Sequence, residues 1–398
     1  MIVVFNAGSS SLKFGLYPAD ASRAIATGLV DWEADPKRAE LSVRRDGKTA
    51  ESRHSVSGYG AAVTCAMQAL GCRPEDVAVV GQRVVLGGTK FSESVRIEDD
   101  VKAEIASLSE LAPLHNPPAL ESIAAVAAAW PGHPQVAVFD TSYYSTLPPT
   151  QYVYPLPYEW YSNWGVRRFG FHGISHSDCA RRAAEMLDAR GGLRVVSCHL
   201  GNGCSATASL GGRAVATTMG FTPLDGLMMG TRPGALDPGI TLYVQRKHGM
   251  SAAQVDHVLN HDAGLKGISG ISSDYRLVEA AARNGNERAH LALEIYATRI
   301  RAAVGALTVT LGGVDALVFT AGVGEHSASL REAVCRGLEC VGLTLDSRRN
   351  LSAHADSDVA AADSVGRILL LEAQEELTIA REARRVLEAS DRSPRALV

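Results

Sequence analysis

Hydrophobic and polar positions alternate in blocks at the start of the chain. Ile2 to Phe5 are β-branched and aromatic residues, the composition of a buried strand. The run breaks at Asn6 to Ser10, and an alternating pattern resumes from Leu12 to Tyr17. We therefore expect two strands joined by a turn of small polar residues, in which Gly8 can take a positive φ.

A turn of this composition can bind an anion, because its backbone N–H groups and hydroxyls can point at one site. Lys13 adds a positive charge just beyond it, and Asn6 offers an oxygen to a cation. An ordinary hairpin with a polar tip is the alternative for any single turn of this kind. The same plan recurs at 195–207, and 318–325 is a strand that runs into a glycine loop and then a helix. Three such loops indicate one nucleotide held between two similar halves.

Other apolar runs predict strands that end next to charged residues. The strand at 77–80 is followed by Arg83, and the strand at 135–139 is followed by Asp140. Ligands bind open α/β sheets at the carboxyl ends of strands, although a surface arginine is an equal alternative for Arg83. Helical spacing predicts helices at 60–70 and 287–311 that end at glycines, and a strand and an amphipathic helix near the C-terminus, at 368–371 and from Glu375.

The segment from Arg167 to His176 is rich in groups that attract anions. It contains two arginines and two histidines, and Ser175 and Asp178 are spaced as an approximate capping box for a following helix. A helix N-terminus with such neighbours is a good anion environment. A histidine in a core is the alternative for His172, which we take as a candidate functional residue in this context.

The stretch 217–234 has neither helical nor strand periodicity. It is dense in glycine, proline and methionine, which is typical of a shaped loop, and Arg232 is its only cation. A second polar loop ends at Asp274 to Arg276.

The composition of the chain limits the classes of function that it can have. With 398 residues the chain is long enough for two domains, and a net charge of −4 gives no basic excess for nucleic acid or an anionic membrane. No apolar run approaches the roughly 20 residues that span a bilayer, and without a signal-peptide pattern Met1 is expected to begin the mature protein. Seven cysteines without CxxC spacing predict reduced, structural thiols and a cytoplasmic location.

Seven blocks of this sequence together resemble the signatures of the acetate kinase family. They run in family order over nearly the whole chain, from residue 2 to about residue 380. The blocks are 6–13, 167–176, 199–203, 219–232, 267–270, 322–325 and 375–377.

The resemblance implies a fold of two similar α/β domains, each with a mixed five-stranded sheet flanked by helices. This is the actin-like, ribonuclease H-like duplication of sugar kinases and heat-shock ATPases, with the nucleotide in the cleft between domains. The N-terminal domain would span 1–145 and be completed by a helix at about 375–398, and the C-terminal domain would span 146–374. A homodimer is also implied, as is direct in-line transfer in the reaction ATP + acetate ⇌ ADP + acetyl phosphate, with Mg²⁺ or Mn²⁺.

The resemblance also implies roles by position. Asn6 and Glu375 would serve the metal. The nucleotide would be contacted by Lys13, His199, Leu200, Gly201, Asn202, Gly203, Asp274, Tyr275, Arg276, Gly322, Val323, Gly324, Glu325 and His326. The transferring phosphoryl group would be surrounded by Arg83, Asp140, His172 and Arg232. The acetate methyl group would lie in a pocket of Val85, Leu114, Phe171 and Pro223.

These residue types suit the implied chemistry. A metaphosphate-like transition state spreads charge over three oxygens, so catalysis is mainly positioning and electrostatics. Arg83 can clamp a carboxylate with two parallel hydrogen bonds, which lysine does less well. Acetate is already ionised at neutral pH and has no proton to lose. We therefore expect Asp140 to orient Arg83 or metal-bound water and not to act as a general base.

The sequence also departs from the family pattern. Leu86 stands where the family usually has histidine, Tyr144 lies near another usual histidine, and His326 replaces a usual asparagine. Ala216 and Ala235 replace usual acids, which affects support for Arg232 and the phosphate loop. None of these positions carries the proposed chemistry, so an active enzyme is expected.

Three other functions fit parts of the pattern. A propionate or other short-chain acyl kinase differs only by a methylene, which is worth about 1–3 kcal/mol. In a sugar kinase, Asp140 would deprotonate a hydroxyl, but Arg83 would have no obvious role. A nucleotide-gated binding module would hydrolyse ATP slowly and needs a partner domain or linker that this sequence does not show.

Overall fold

The computed structural model describes residues 1–8, 10–32, 35–113, 115–189 and 191–392. The chain divides into two compact units. The first unit comprises Met1–Tyr143 together with Gln374–Val398, and the second comprises Tyr144–Ala373. Each unit contains its own sheet and its own helices.

The first unit is built on a mixed sheet of eight strands among the described residues. The strands are β1 Ile2–Ala7, β2 Ser11–Tyr17, β3 Ala26–Asp31, β4 Ala39–Arg45, β5 Lys48–His54, β6 Val79–Val84, β7 Val95–Arg96 and β8 Gln135–Phe139. Their order is β5-β4-β3-β2-β1-β6-β8-β7. β1 is antiparallel to β2 and parallel to β6, which is parallel to β8.

Helices cover the sheet of the first unit. They are α1 Tyr59–Leu70, α2 Asp99–Ser107, α3 Asn116–Ala129 and the C-terminal helix Glu375–Arg392, with 3₁₀ turns at Pro36–Arg38, Pro74–Asp76 and Asp140–Thr146. Val3 and Phe5 pack in one apolar cluster with residues of α1 and α3. The C-terminal helix packs closely on β6, since a Cβ built on Gly81 would lie 2.8 Å from the side chain of Ile379.

The second unit has a six-stranded sheet among the described residues. Its strands are β9 Arg194–Leu200, β10 Cys204–Leu210, β11 Arg213–Thr217, β12 Ala316–Thr320, β13 Ser357–Asp358 and β14 Arg367–Leu370. Their order is β11-β10-β9-β12-β14-β13. β9 is antiparallel to β10 and parallel to β12, which is parallel to β14.

The two sheets repeat one five-stranded arrangement. In each, a central strand pairs on one side with two successive antiparallel strands and on the other with two parallel strands. The expectation of two similar α/β domains is confirmed. The predicted count of five strands describes this shared core, and β4, β5, β7 and β13 extend it. The hairpin of β4 and β5 turns at Asp46 and Gly47, which both have positive φ, and β7 and β13 have only two residues each.

The helices of the second unit include the long one predicted at 287–311. They are α4 Pro149–Tyr152, α5 Tyr158–Trp164, α6 Gly173–Met186, α7 Pro238–His248, α8 Ala252–His261, α9 Gly264–Ser269, α10 Tyr275–Arg283, α11 Glu287–Leu311, α12 Ala321–His326, α13 Ala328–Cys335 and α14 Ser347–Ser352, with a 3₁₀ turn at Leu338–Val341. α11 ends at Gly312 in the left-handed conformation, as α1 ends at Gly71. None of the helices in the described ranges has the length and hydropathy that crossing a bilayer requires.

Two local predictions in the second unit are wrong. The capping box fails because α6 already starts at Gly173 after His172, which has φ of 58°. Ser175 therefore lies inside the first turn, where its Oγ lies 2.9 Å from Nδ1 of His199. The segment 321–326 is helical and not a glycine loop, because the chain turns sharply at Ala321, with φ of 66°, directly after β12.

Two predictions in the first unit also need correction. Gly8 does not have a positive φ, and it is instead crowded, since a Cβ there would lie 2.7 Å from Oγ of Ser11. The strand before Arg83 begins at Val79 and runs to Val84, so Arg83 lies within the last residues of β6.

Candidate active site

The β1–β2 hairpin places two predicted residues side by side. Asn6 pairs directly with Lys13 across the two antiparallel strands, so both side chains are on the same face of the sheet. Asn6 is buried and Lys13 is exposed. The turn is closed by a hydrogen bond from the Gly8 amide to the Ser11 carbonyl at 2.8 Å, and the Tyr59 hydroxyl donates to the Gly8 carbonyl.

Arg83 and Asp140 form a buried ion pair where β6 and β8 end. Nη2 and Nε of Arg83 donate to the same oxygen of Asp140, Oδ2, at 2.6 and 3.1 Å. Nη1 donates to Oδ1 of Asn6 at 3.1 Å. The side chains are 13% and 2% exposed. The structure thus brings together Asn6, Arg83 and Asp140, which the sequence places far apart.

The ion pair with Asp140 keeps Arg83 charged and leaves two of its N–H groups for a ligand. Burial disfavours the cation, but the carboxylates of Asp140, Glu375 and Glu376 outweigh burial and raise the pKa of Arg83. A guanidinium has five N–H groups, and three of them bind Asp140 and Asn6. The other two, one on each Nη, have no partner among the described residues. They can hold a carboxylate, while Asp140 orients the guanidinium.

The start of the C-terminal helix adds two carboxylates. Nδ2 of Asn6 donates to Oε2 of Glu375 at 3.0 Å and to Oε1 of Glu376 at 2.9 Å. The sequence analysis had missed Glu376. Within the described ranges, no group of three or more His, Cys, Asp or Glu residues could hold a metal ion. Mg²⁺ is often bound by one or two carboxylates together with substrate phosphates, so these residues fit a metal that shares its ligands with a nucleotide.

The second unit contains the matching hairpin, with its tip at 201–203 between β9 and β10. The Gly201 amide donates to the Gly203 carbonyl at 3.1 Å. A Cβ built on Gly203 would lie 2.8 Å from Nη2 of Arg232 and 3.2 Å from Nε2 of His172. The guanidinium of Arg232 and the imidazole of His172 therefore both approach the backbone of the tip. Only glycine at position 203 leaves room for this approach.

Arg232 lies in the long loop that the sequence predicted. The amide of Gly230 donates to the Asn202 carbonyl at 3.0 Å, which fixes this loop on the hairpin tip. Nη1 of Arg232 donates to the Pro223 carbonyl at 2.9 Å, and in the described part of the chain Arg232 forms no salt bridge. The surrounding protein lowers the pKa of Arg232 by desolvation. A desolvated cation without an acid is a favourable site for an incoming anion.

Three histidines cluster beneath the same tip. The rings of His172 and His199 stack with centroids 4.2 Å apart, and His176 lies beside His199 with centroids 6.3 Å apart. Each has a serine hydroxyl within hydrogen-bonding distance of Nδ1: Ser205 at 2.8 Å for His172, Ser197 at 2.7 Å for His176 and Ser175 at 2.9 Å for His199.

The sequence analysis had missed these serines, although the strands carry a signal for them. Polar residues alternate along two otherwise apolar buried strands: Ser197 and His199 in β9, and Ser205, Thr207 and Ser209 in β10. Register confirms that they share a face, because Ser205 pairs with His199 and Thr207 with Ser197. A row of buried polar side chains at a spacing of two needs polar partners, so it marks a face that binds something polar.

The two segments predicted for the adenosine lie close together in the second unit. Asp274 caps α10, and its carboxylate accepts from the Arg276 amide at 2.9 Å. Tyr275 is buried, and its hydroxyl is 3.5 Å from Oγ of Ser327, which follows α12. The space around a Cβ on Gly322 is open to 4 Å, which leaves room for a planar base.

The remaining α12 positions vary in environment. Val323 is half-buried, Gly324 is buried, and Nδ1 of His326 lies 2.8 Å from the Gly322 carbonyl. Burial raises the pKa of Glu325, whose carboxylate accepts from the Ala373 amide at 2.9 Å. The carboxylate of Glu325 thus binds the last residue of its own unit.

The predicted methyl pocket is described in part. Val85 is buried in the first unit, and Phe171 is buried in the second. Pro223 is half-buried and offers its carbonyl to Arg232. Leu114 lies outside the described residues.

Two departures from the family pattern are accommodated by packing. Leu86 is buried, and its backbone N–H and carbonyl both bind the side-chain amide of Asn116 at 3.1 Å. The hydroxyl of Tyr144 donates to the Phe171 carbonyl at 2.7 Å, so this ring supports a predicted pocket residue. Ala216 is buried in β11 and Ala235 is exposed.

Comparisons with known proteins identify one family. The model of the acetokinase family matches residues 1–381. An acetate kinase of Cyanothece sp. is 45% identical over 408 residues, which cover 98% of this chain and 100% of the relative. A solved acetate kinase from Porphyromonas gingivalis has a TM-score of 0.88 and 37% identity, with 97% of this chain and 99% of that one covered.

A solved propionate kinase from Francisella tularensis is similar too. Its TM-score is 0.90 at 35% identity, and the match covers 97% of this chain and 99% of that one. The fold is therefore the actin-like ATPase fold of acetate and propionate kinases. With the family model matching nearly its full length and a relative 45% identical throughout, the chain belongs to the acetokinase family.

Proposed function

We propose that this member of the acetokinase family catalyses the reversible, Mg²⁺-dependent transfer of the γ-phosphoryl group of ATP to acetate, directly and in line. The observation that carries this proposal is the difference between two arginines. Arg83 is oriented by Asp140 and has two uncommitted N–H groups among the described residues. Arg232 has no acidic partner there and lies against a hairpin tip of phosphate-binding composition.

Arg83 is assigned to the acceptor. Its two remaining N–H groups suit the two oxygens of a carboxylate, a geometry that gives orientation as well as affinity. Asp140 accepts two hydrogen bonds from Arg83 through one oxygen, which holds the guanidinium in place. Val85, Leu114, Phe171 and Pro223 are proposed to contact the methyl group.

Arg232 and His172 are assigned to the phosphoryl group. Both approach the position of a Cβ on Gly203 within 3.2 Å, so donors from two different segments converge beside the tip. Charge on the equatorial oxygens increases in the transition state, and fixed donors at that point lower the barrier. His199, Leu200, Gly201, Asn202, Gly203 and Lys13 are proposed to contact the nucleotide phosphates.

Asn6 and Glu375, with Glu376 beside them, are proposed to hold Mg²⁺, or Mn²⁺ in its place, together with phosphate oxygens. When bound, the metal would neutralise charge on the phosphates. Asn6 connects these carboxylates to Arg83, because its side chain donates to Glu375 and accepts from Arg83. The adenosine is proposed to be enclosed by two segments. They consist of Asp274, Tyr275 and Arg276 and of Gly322, Val323, Gly324, Glu325 and His326.

The test is turnover of acetate and ATP, with the acyl phosphate trapped by hydroxylamine. Formation of the acyl hydroxamate, dependent on both substrates and Mg²⁺, is the expected result. ATP hydrolysis without an acyl phosphate, or phosphorylation of glycerol or a hexose in its place, would contradict the proposal.

A propionate kinase is the second candidate, because one of the similar solved structures bears that name. The values of kcat/KM for formate, acetate, propionate and butyrate decide between the two. We expect acetate to have the highest value, and a maximum at propionate would replace the proposal by this alternative.

We also propose a homodimer. α7 has no buried residue, and Ile240, Leu242 and Tyr243 on it are each more than half exposed. A helix with apolar residues and no covering element suits contact with a second copy. Light scattering is expected to give twice the chain mass, and Leu242→Asp with Tyr243→Asp is expected to give the monomer. A wild-type monomer would contradict the proposal.

We also propose a cytoplasmic location, because free thiols are typical of a reducing compartment. All seven cysteines are free, and Cys179, Cys198, Cys204 and Cys335 are buried. Burial raises the pKa of the Cys204 thiol to about 11, so this thiol is unreactive at neutral pH.

A further inference from the structure

Ser205 lies between two histidines. Its Oγ is 2.7 Å from Nε2 of His176 and 2.8 Å from Nδ1 of His172. On the other side of its ring, Nδ1 of His176 is 2.7 Å from Oγ of Ser197. Ser197, His176 and Ser205 are all fully buried, so each of these polar groups needs a hydrogen-bond partner within the protein.

The single proton of the Ser205 hydroxyl couples the tautomers of His172 and His176. A serine hydroxyl has one proton, so Ser205 can donate to only one of the two histidines, and any histidine to which it does not donate must donate to it. If it donates to Nδ1 of His172, the proton of neutral His172 is on Nε2. His176 then donates to Ser205 from Nε2 and accepts from Ser197 at Nδ1. In the opposite arrangement, Nε2 of neutral His172 has a lone pair and no proton.

The position of Nε2 of His172 makes this difference important. It is 3.2 Å from a Cβ built on Gly203, and Nη2 of Arg232 is 2.8 Å from the same point. An N–H at this position donates to an anion beside the tip, whereas a lone pair repels one. The tautomer of His172 therefore decides whether it assists Arg232 or opposes it.

We propose that His176 is a positioning residue that acts through Ser205. It holds His172 in the tautomer with the proton on Nε2, ready to donate to the transferring phosphoryl group. His176 itself contacts no reacting atom. The inference rests on the proposed function, in which His172 binds that group.

Two substitutions separate positioning from packing. His176→Gln places an amide N–H near the former Nε2 and can still donate to Ser205, whereas His176→Leu cannot. We expect His176→Leu to lower kcat by about 10–100-fold with KM values within about twofold, and His176→Gln to recover most of kcat. Equal losses in the two variants would overturn the proposal.

Cys179→Ala is the matched control. Cys179 is buried on the same helix, one turn after His176, so this variant removes core volume without changing the row of hydroxyls and imidazoles. We expect its kcat to stay within about twofold of wild type, since the catalytic donors are untouched. A loss as large as that of His176→Leu would assign the effect to packing and overturn the proposal.

A double mutant tests whether His176 acts through His172. If it does, His172→Ala combined with His176→Leu should be no slower than His172→Ala alone. Losses that multiply would show that His176 acts independently of His172, contrary to the proposal.

The tautomer can also be read without turnover. In the full chain labelled with ¹⁵N-histidine, at mildly alkaline pH where an ordinary histidine is neutral, His172 should show a protonated Nε2, and His176→Leu should lose this preference. Protonation on Nδ1 in the wild type overturns the inference whatever the activity. The expected spectrum in a protein that forms no acyl phosphate supports the inference about the tautomer and contradicts the proposed function alone.

Discussion

Arg83 and Arg232 belong to units with the same strand arrangement, yet their surroundings differ. Arg83 forms an ion pair with Asp140 at 2.6 Å, whereas Arg232 donates to a backbone carbonyl at 2.9 Å. Burial disfavours charge at both positions. Acidic neighbours outweigh it and raise the pKa of Arg83, but nothing comparable acts on Arg232, whose pKa is lowered.

The difference suggests different tasks for two side chains of one type. A cation that already has an acid beside it is fixed in orientation and gains only modestly from another anion, which suits a substrate carboxylate whose charge does not increase. A cation without an acid is costly in the unliganded protein and gains most from charge that develops during the reaction. The structure therefore favours ground-state binding at Arg83 and transition-state stabilisation at Arg232.

The largest loss of activity is expected for Arg232→Ala. We expect kcat to fall by about 10³-fold, with KM values changed only a few-fold, because the contact is made chiefly in the transition state. The melting temperature should stay the same or rise, since an unpaired cation is removed. Steady-state kinetics and thermal unfolding provide both measurements.

Arg213→Ala, at an exposed arginine that begins β11, serves as the control for loss of a positive charge and should keep full activity. A main effect of Arg232→Ala on KM, with kcat preserved, would move Arg232 to ground-state binding and remove the contrast with Arg83.

We expect Asp140→Asn to lower both kcat/KM for acetate and the stability of the protein. Arg83 would lose its charged partner, so we expect kcat/KM for acetate to fall by roughly 10²-fold and stability to fall by about 3 kcal/mol. Asp315→Asn is the matched control, because it also breaks a 2.6 Å pair, with Arg194, but both of these side chains are 35% exposed. That variant should lose less stability and keep its activity. Full activity in Asp140→Ala would exclude an orienting role for Asp140.

An added anion should distinguish the two arginines in binding. Tripolyphosphate at about 100 times its Kd should stabilise the wild-type protein by about 2.7 kcal/mol in thermal unfolding. The stabilisation should be largely lost in Arg232→Ala and kept in Asp140→Asn, because only Arg232 lacks an acid. Equal stabilisation of both variants would contradict the assignment of phosphate to Arg232.

The smallest effect is expected for Gly203→Ala. Its Cβ would lie 2.8 Å from Nη2 of Arg232, so the guanidinium must shift and kcat should fall by roughly tenfold. At Gly201 the nearest atom to a Cβ is 3.5 Å away, so Gly201→Ala should lose less. The reverse order in steady-state assays would mean that the approach of Arg232 to the tip is unimportant.

Local features of this fold could be predicted from the sequence because they depend on near neighbours. The glycines that end α1 and α11 act within one turn of their helices, and the β1–β2 and β9–β10 hairpins follow from apolar runs separated by small polar residues. These features were enough to place Arg83 and Asp140 at strand ends and 201–203 at a hairpin tip.

Features that depend on distant partners could not be predicted in this way. The capping box at Ser175 failed because α6 begins at Gly173, and the Ser175 hydroxyl instead lies 2.9 Å from Nδ1 of His199, 24 residues away. The pairing of Arg83 with Asp140 spans 57 residues and depends on the alignment of β6 with β8. No sequence pattern indicates that Arg232 has no acidic partner among the described residues, since this depends on every segment packed around it.

The C-terminal helix has a consequence for biosynthesis. Ile379, Ala380 and Ala383 are fully buried in the first unit, which therefore stays incomplete until residue 383 has been translated. The second unit spans Tyr144–Ala373, so all of its residues are translated before this helix. At about 5–20 residues per second, synthesis of the chain takes roughly 20–80 seconds. Until the helix is made, the face of β6 that Gly81 presents to Ile379 stays uncovered on the nascent chain, so the unit that is begun first is the one that is finished last.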